Sequence, residues 1–377
     1  MRRSTSQNGP GEGVGGRTRA RVHAHAVLGA LLMLVVTGGC ARKTTAPVAL
    51  TPRTYAMGFS PNPPSADFAL AVRAIQTWTP RADIAQMGGE PPWDSLLAGL
   101  RPDSLVIRNQ LVLAQYFRAQ NLKLFLVVDP LNGLDRASDS DPLKALGHSL
   151  TEPAMRALAR AYAVALDTLL RPDYLELAVE TNLVRAYSPA PLYQAEILFA
   201  DSAAADVRAV DATVKLVTSV QVDQAWGHIG PPATYQGIDQ DRIDFAFEQV
   251  LGLSSYPYLS GFAKPEDIPA DYYSKLVQGA PIPVIITEGG WSSASVAGIT
   301  SDPDKQRRYI VKQAALCDRV GAIGWMQIPF TDIDLASLPP PYNTSVAPFA
   351  YLGLVDATLR AKPALSAWDA VFARPRQ

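Results

Sequence analysis

Eight short apolar runs between residues 55 and 328, separated by helix-like stretches, constrain this chain more than any other feature of it. They read YAMGFS (55–60), ADIAQMG (82–88), LKLFLVVD (122–129), YLELAVE (174–180), VKLVTSVQ (214–221), QVLGLSSY (249–256), PVIITE (283–288) and GAIGWMQI (321–328). Most are continuously apolar rather than alternating, as expected of parallel strands covered on both faces. The clearest helical patterns between them are 152–170, opened by Glu152 and Pro153, and 302–320, with Asp302 as a cap and Pro303 in the first turn. Eight such units predict an α/β chain folded as one (β/α)8 barrel over residues 54–373, a fold that typically takes ~250 residues and more with insertions. An open doubly wound sheet is the alternative. It usually carries a glycine-rich first turn, and MGFSPNPP after the first strand is not one.

Ahead of the barrel the chain changes character. Residues 1–25 carry Arg2, Arg3, Arg17, Arg19 and Arg21 against one acid, and AVLGALLMLVV (26–36) follows as an apolar core. That core is short of the about 20 residues a bilayer span needs, but it suits a signal peptide. It ends in TGGC, which resembles a bacterial lipobox, although Thr37 stands where leucine is usual. The expectation is a signal peptide over 1–39, lipidation of Cys40 and a polar tether over 40–53, giving an extracytoplasmic protein anchored to a bacterial membrane. Ala41 after the cysteine, rather than an aspartate, favours the outer membrane where there is one. A plain secretory signal with an incidental cysteine is the alternative. Beside a lipidated Cys40 the mature chain would keep one other cysteine, Cys317, which in AALCDRV reads as a small core-facing helix residue.

Charge narrows the partners. With 34 basic and 35 acidic side chains the chain offers no basic field to a phosphate backbone, so no nucleic acid is expected. Of four histidines, His23 and His25 lie in the leader and His148 and His228 stand alone, so no metal site and no cofactor is expected. A monomer is expected.

In a barrel of this kind chemistry sits at the C-terminal ends of the strands. The polar residues there are Asp129, Glu180 and Asn182, Gln221, Tyr256 and Glu288. Glu288 ends the β-branched run VIITEGGW, and a buried strand gains nothing from an unpaired carboxylate, whose desolvation costs several kcal/mol or shifts its pKa. Glutamates ending the fourth and seventh strands can face each other across the barrel mouth. Glycosidic-bond cleavage needs such a pair, one acid to protonate the leaving oxygen and one carboxylate to attack the anomeric carbon or activate water. For either glutamate alone, an ion pair with a nearby Arg or Lys is an equal explanation.

A family resemblance sharpens this reading. ITEGGW looks like the nucleophile motif of the large retaining clan of barrel glycoside hydrolases, clan GH-A, and LAVETN looks like its acid/base motif. LGLSSYPYLS resembles the sixth-strand segment of glycoside hydrolase family 53, the endo-β-1,4-galactanases, and the tail 349–371, with GLVD and KPA, is similar to the closing segment of many such hydrolases. The resemblance implies a retaining hydrolase of β-linked oligo- or polysaccharide, galactan among them, with Glu288 as nucleophile and Glu180 as acid/base. It also implies that Tyr256 hydrogen-bonds Glu288 and keeps it ionised. Two departures stand out. Val179 occupies the place of the asparagine that usually precedes the acid/base and binds the sugar 2-hydroxyl, leaving Asn182 as the candidate substitute. EGGW, without the tyrosine of the galactanase segment, supports the clan more than that family.

Aromatic platforms for sugar rings are expected at Trp291 and Trp93, and at Trp325, although Gln327 aligns equally well with the strand-8 tryptophan of the clan. Each tryptophan is equally explained by packing. Glu90 and Asp129 are candidates for sugar hydroxyls, while Glu176, four residues before Glu180, points to the inert end of the barrel and is left out. Three rivals stand beside the hydrolase. A phosphate-binding barrel could use Gly289 and Gly290, but an ionised Glu288 would repel the phosphate. A non-catalytic glycan-binding surface lipoprotein draws support from Val179. A purely structural barrel leaves both tip glutamates without a purpose.

Overall fold

The computed structural model describes residues 50–377 apart from Pro231 and Ala280. The expected leader, the lipidation site at Cys40 and the tether up to residue 49 lie outside the described residues. Eight parallel strands close into a barrel in chain order. They are β1 (Ala56–Phe59), β2 (Ile84–Gly89), β3 (Lys123–Val128), β4 (Tyr174–Ala178), β5 (Lys215–Gln221), β6 (Val250–Ser255), β7 (Val284–Gly289) and β8 (Gly324–Met326). Each overlaps the apolar run read for it. Closure comes from β1 pairing β8 through Ala56 with Gly324 and Gly58 with Met326, which removes the open-sheet alternative.

Continuous apolar sequence is explained by what covers the two faces. One residue from each strand (among them Ile84, Phe125, Tyr174, Val217 and Ile285) forms a separate apolar cluster inside the barrel. The alternate residues pack outward beneath helices such as Pro153–Leu170 and Pro303–Val320. Asp302 caps the second of these by accepting from the Lys305 backbone N–H at 2.8 Å. Cys317 faces the core of that helix and is fully buried. The barrel's own contacts begin within the expected tether, where Arg374 donates to the Thr51 and Pro52 carbonyls at 2.8 Å each. Arg53 is buried, pairs with Asp83 at 2.7 Å and lies over the Phe372 ring.

Two strands depart from regular register, and they are the two that carry the glutamates. Between β4 and β5, Glu176 pairs with Val217 but Ala178 with Thr218. Between β6 and β7, Leu253 pairs with Ile286 but Ser254 with Glu288. Each bulge inserts one residue and so reverses which side chains beyond it face inward. Simple alternation from Ile285 inside the barrel would turn Glu288 outward; the extra residue returns it to the mouth.

Candidate active site

Glu180 follows β4 in a left-handed backbone conformation, φ 51° and ψ 45°, uncommon for a residue with a side chain. Such an outlier persists only where its surroundings hold it. Here the Glu180 N–H donates to Ser219 Oγ at 3.0 Å and its carbonyl accepts from the Leu183 N–H at 2.8 Å. The carboxylate accepts from Ser254 Oγ at 2.7 Å on one oxygen and from Arg136 Nε at 2.9 Å on the other. Arg136 also donates Nη1 to Asp129 Oδ2 at 2.6 Å, so one guanidinium joins the loop after β3 to the tips of β3 and β4.

Glu288 stands on the neighbouring register position to Ser254, the residue that touches Glu180. Tyr256 Oη donates to Glu288 Oε2 at 3.1 Å, the contact the resemblance implies. Gly289 answers part of the EGG pattern: a Cβ there would come within 2.6 Å of the Ser255 carbonyl, so only glycine lets the end of β7 lie this close to β6. Burial, then the charge of Glu180, push the Glu288 carboxyl up to about 7, although Arg136 and the Tyr256 hydroxyl act against the shift. Burial and the two glutamates likewise push the Tyr256 hydroxyl well above its ordinary range. Its hydrogen bond to Glu288 is present and acts to lower the Glu288 carboxyl, against the burial that raises it. Glu176 lies fully buried below, and burial raises its carboxyl well above the usual range, which favours the neutral acid.

The mouth holds a cleft of two lobes that share seven lining residues, among them Asn62, Leu134, Asp135, Glu288 and Tyr342. The larger, about 1040 Å³, is lined by polar side chains including Asn62, Gln86, Glu90, Asn109 and Asp129, with Val179 in its wall. The smaller, about 530 Å³, holds Glu180, Arg136 and Tyr256. Glu180, Glu288, Tyr256, Asp129 and Glu90 are thus brought to one cleft.

The other expected site residues are not. Asn182 is buried, its amide held by the Gln221 backbone, donating to the carbonyl at 2.8 Å and accepting from the N–H at 2.8 Å. It ties the end of β4 to β5 and lines neither lobe. Trp291, Trp93 and Trp325 are each 1% exposed, and none lines either lobe. The Trp291 ring packs between Tyr258 and Tyr309 and donates to Ser301 Oγ at 3.0 Å. Trp325 faces outward from β8 onto Tyr55 and Trp368, and Gln327 donates to the Leu352 carbonyl. These tryptophans are packing residues, because an indole on a barrel strand or under a loop gains more from burial than a rim position offers. Exposed rings in the cleft belong instead to Tyr342 and Tyr187, 51% and 42% exposed.

Sequence reading missed Arg136, Ser254 and Ser219. The serines carried a signal, as hydroxyls inside otherwise apolar strands. Arg136 carried a weaker one, as the lone base in the acid-rich loop LNGLDRASDSD after β3.

No protein-family model matches the chain, and no curated protein matches it in sequence. Solved structures do resemble it. An exo-β-1,4-mannosidase from Opitutaceae bacterium strain TAV5 superposes with a TM-score of 0.61 at 16% identity, over 86% of this chain and 61% of that one. A family 39 glycoside hydrolase from Bacteroides cellulosilyticus WH2 gives 0.56 at 17% identity, over 85% and 64%. A GH5_18 protein from Bifidobacterium longum subsp. longum, in complex with Manβ1-4GlcNAc, gives 0.57 at 15% identity, over 87% and 80%. The chain spans under two thirds of the length of the first two. At these identities the likeness establishes the barrel, a fold that hosts many chemistries.

Proposed function

We propose that this chain is a glycoside hydrolase that cleaves β-linked glycosides at the Glu180 and Glu288 pair. One observation carries the reading: two carboxylates from different strands meet in one cleft, one in an ion pair and the other driven toward its neutral form near pH 7. Two acids with opposed environments are what divides proton donor from charged partner. The solved structures of similar fold, a mannosidase and family 39 and GH5_18 proteins among them, support the same class.

By resemblance the mechanism is a retaining double displacement. Glu288 attacks the anomeric carbon while Glu180 protonates the leaving oxygen, and Glu180 then draws a proton from the water that hydrolyses the glycosyl ester. Glu180 is paired to Arg136, while burial and the charge of Glu180 raise the Glu288 carboxyl. The assignment needs Glu288 to be ionised when it attacks; if it is not, the two residues exchange roles. Galactan is one candidate substrate, through the strand-6 segment LGLSSYPYLS. The leader supports a lipid-anchored extracytoplasmic enzyme.

A second reading, a glycan-binding lipoprotein without turnover, is favoured by Val179 and by the engaged Asn182 amide, which leave the sugar 2-hydroxyl without its usual partner. The experiment is a release assay on a panel of β-glycosides and β-glycans with the wild type, Glu180→Gln and Glu288→Gln. Turnover lost in both variants supports the enzyme; binding by the wild type without turnover supports the module.

A further inference from the structure

The two lobes of the cleft differ in chemistry, and the difference bears on what is cleaved. The smaller lobe is walled by Leu183, Ile229, Leu259, Ile333 and Phe349, all half-buried, with Leu134 at its edge. These side chains come from the loops after β4, β5, β6 and β8, so the apolar wall is assembled from four separate segments. Away from the catalytic pair, and from Asn62 and Tyr342 which it shares with the larger lobe, its polar side chains are already engaged. The Gln221 amide donates to Asp223 at 3.0 Å and accepts from the Gln224 N–H at 2.7 Å, Tyr187 Oη donates to Gln224 Oε1, and Asp135 caps Ala137 and Ser138. A sugar placed against that wall would bury ring hydroxyls without partners, which is unfavourable. The larger lobe mixes apolar side chains such as Met87, Leu113 and Val127 with more polar ones, among them Asn62, Gln86, Glu90, Asn109 and Asp129 from β2 and the loops after β1, β2 and β3.

Glu288 lines both lobes, so a bond broken at the pair has one side in each. Resting on the hydrolase reading, we infer that the substrate is a β-glycoside with an apolar aglycone, its sugar held in the polar lobe and its aglycone filling the apolar one. A lobe of about 530 Å³ takes an alkyl chain or a fused aromatic group, well within the size of ordinary ligand sites. Tyr342, on the shared rim, stands where the sugar and the aglycone meet. Such a substrate could be a soluble aryl or alkyl glycoside or a glycolipid presented by a membrane.

The test uses the mature full-length protein and alkyl β-glycosides from methyl to octyl, below their micelle concentrations, with glucose, galactose or mannose as the sugar, beside β-1,4-linked disaccharides of the same sugars. kcat/KM should rise roughly fourfold for each methylene buried until the lobe is full, with octyl glycosides preferred to disaccharides. Leu183→Asn and Ile229→Asn, on different loops, should each flatten the rise. A flat series, or disaccharides preferred to octyl glycosides by an enzyme that does turn over, overturns the aglycone assignment and leaves the hydrolase standing. If nothing is cleaved the hydrolase reading fails, and calorimetry with alkyl β-thioglycosides still decides the lobe: affinity that grows with chain length supports it, equal affinity overturns it. Vesicles of phosphatidylcholine carrying a glycosylceramide separate the two sources, since release from vesicles marks a membrane glycolipid and release from soluble octyl glycoside alone marks a soluble one.

Discussion

Arg136 and Glu180 form an ion pair at 2.9 Å with both residues nearly out of water, 8% and 7% exposed. Breaking such a pair from one side strands a buried charge, at a cost of about 3–5 kcal/mol. Arg136→Gln should therefore destabilise the fold by that order, since Asp129 loses its partner as well. It should also raise the Glu288 pKa above its present value of about 7, because Arg136 is one of the groups holding it down. Denaturant unfolding measures the first effect and carboxyl NMR titration the second. An unmoved Glu288 would separate Arg136 from the chemistry of the site.

Glu288 gives a pH signature of its own. Its carboxyl titrates near 4.5 in the unfolded chain and at about 7 in the fold, so it is neutral in both states well below pH 4.5 and penalises the fold once both ionise. The penalty is absent in acid, grows from about pH 4.5 to 7 and is constant above, reaching a few kcal/mol by the size of the shift. Glu288→Gln removes it. The variant should match the wild type more closely at pH 4 and be the more stable protein at pH 8, by chemical denaturation at both values. A difference that does not change with pH would contradict the raised pKa.

Trp291→Phe tests whether the buried tryptophans are structural. Trp291 is packed between Tyr258 and Tyr309 and bonded to Ser301, so losing the indole N–H should cost about 1–3 kcal/mol by stranding the buried Ser301 contact. Affinity for a glycoside should stay the same. Tyr342→Ala, at an exposed rim position, should change stability by under about 0.5 kcal/mol and weaken binding several-fold. Calorimetry that finds the loss in the tryptophan variant instead would return Trp291 to the sugar site.

Which parts of this site could be read in the sequence follows from the range of the interactions involved. Strands such as VIITE announce themselves because burial on both faces acts residue by residue, and Glu180 and Glu288 stood out as charges ending apolar runs. The bulges at Glu176/Ala178 and Ile286/Glu288 were invisible, since register is set by pairing with a neighbouring strand rather than by composition. Arg136 reaches Glu180 across 44 positions of chain, and no local pattern encodes that contact. The tryptophans misled for a related reason: a large ring near a strand tip suits the core and the cleft equally until the fold decides. Lys362 of the KPA segment proved structural too, its ammonium bridging Asp332 and Ser293.

The last prediction separates the two glutamates by chemistry. If Glu288 is the nucleophile, Glu288→Ala cannot form a glycosyl ester, so turnover should collapse for every leaving group, and added azide should give a glycosyl azide of inverted configuration. Glu180→Ala loses the proton donor, which a dinitrophenolate leaving group does not need, and then the base for the second step. It should release dinitrophenol in a burst, with azide restoring turnover through attack on the glycosyl enzyme and giving retained product. That division of phenotypes is the expected outcome. The opposite division, with the burst and the retained azide product in Glu288→Ala, would mean that the charge held on Glu180 by Arg136 and Ser254 persists through the reaction and makes Glu180 the nucleophile. Identical behaviour of the two variants, without burst or rescue on a substrate the wild type cleaves, would remove both assignments.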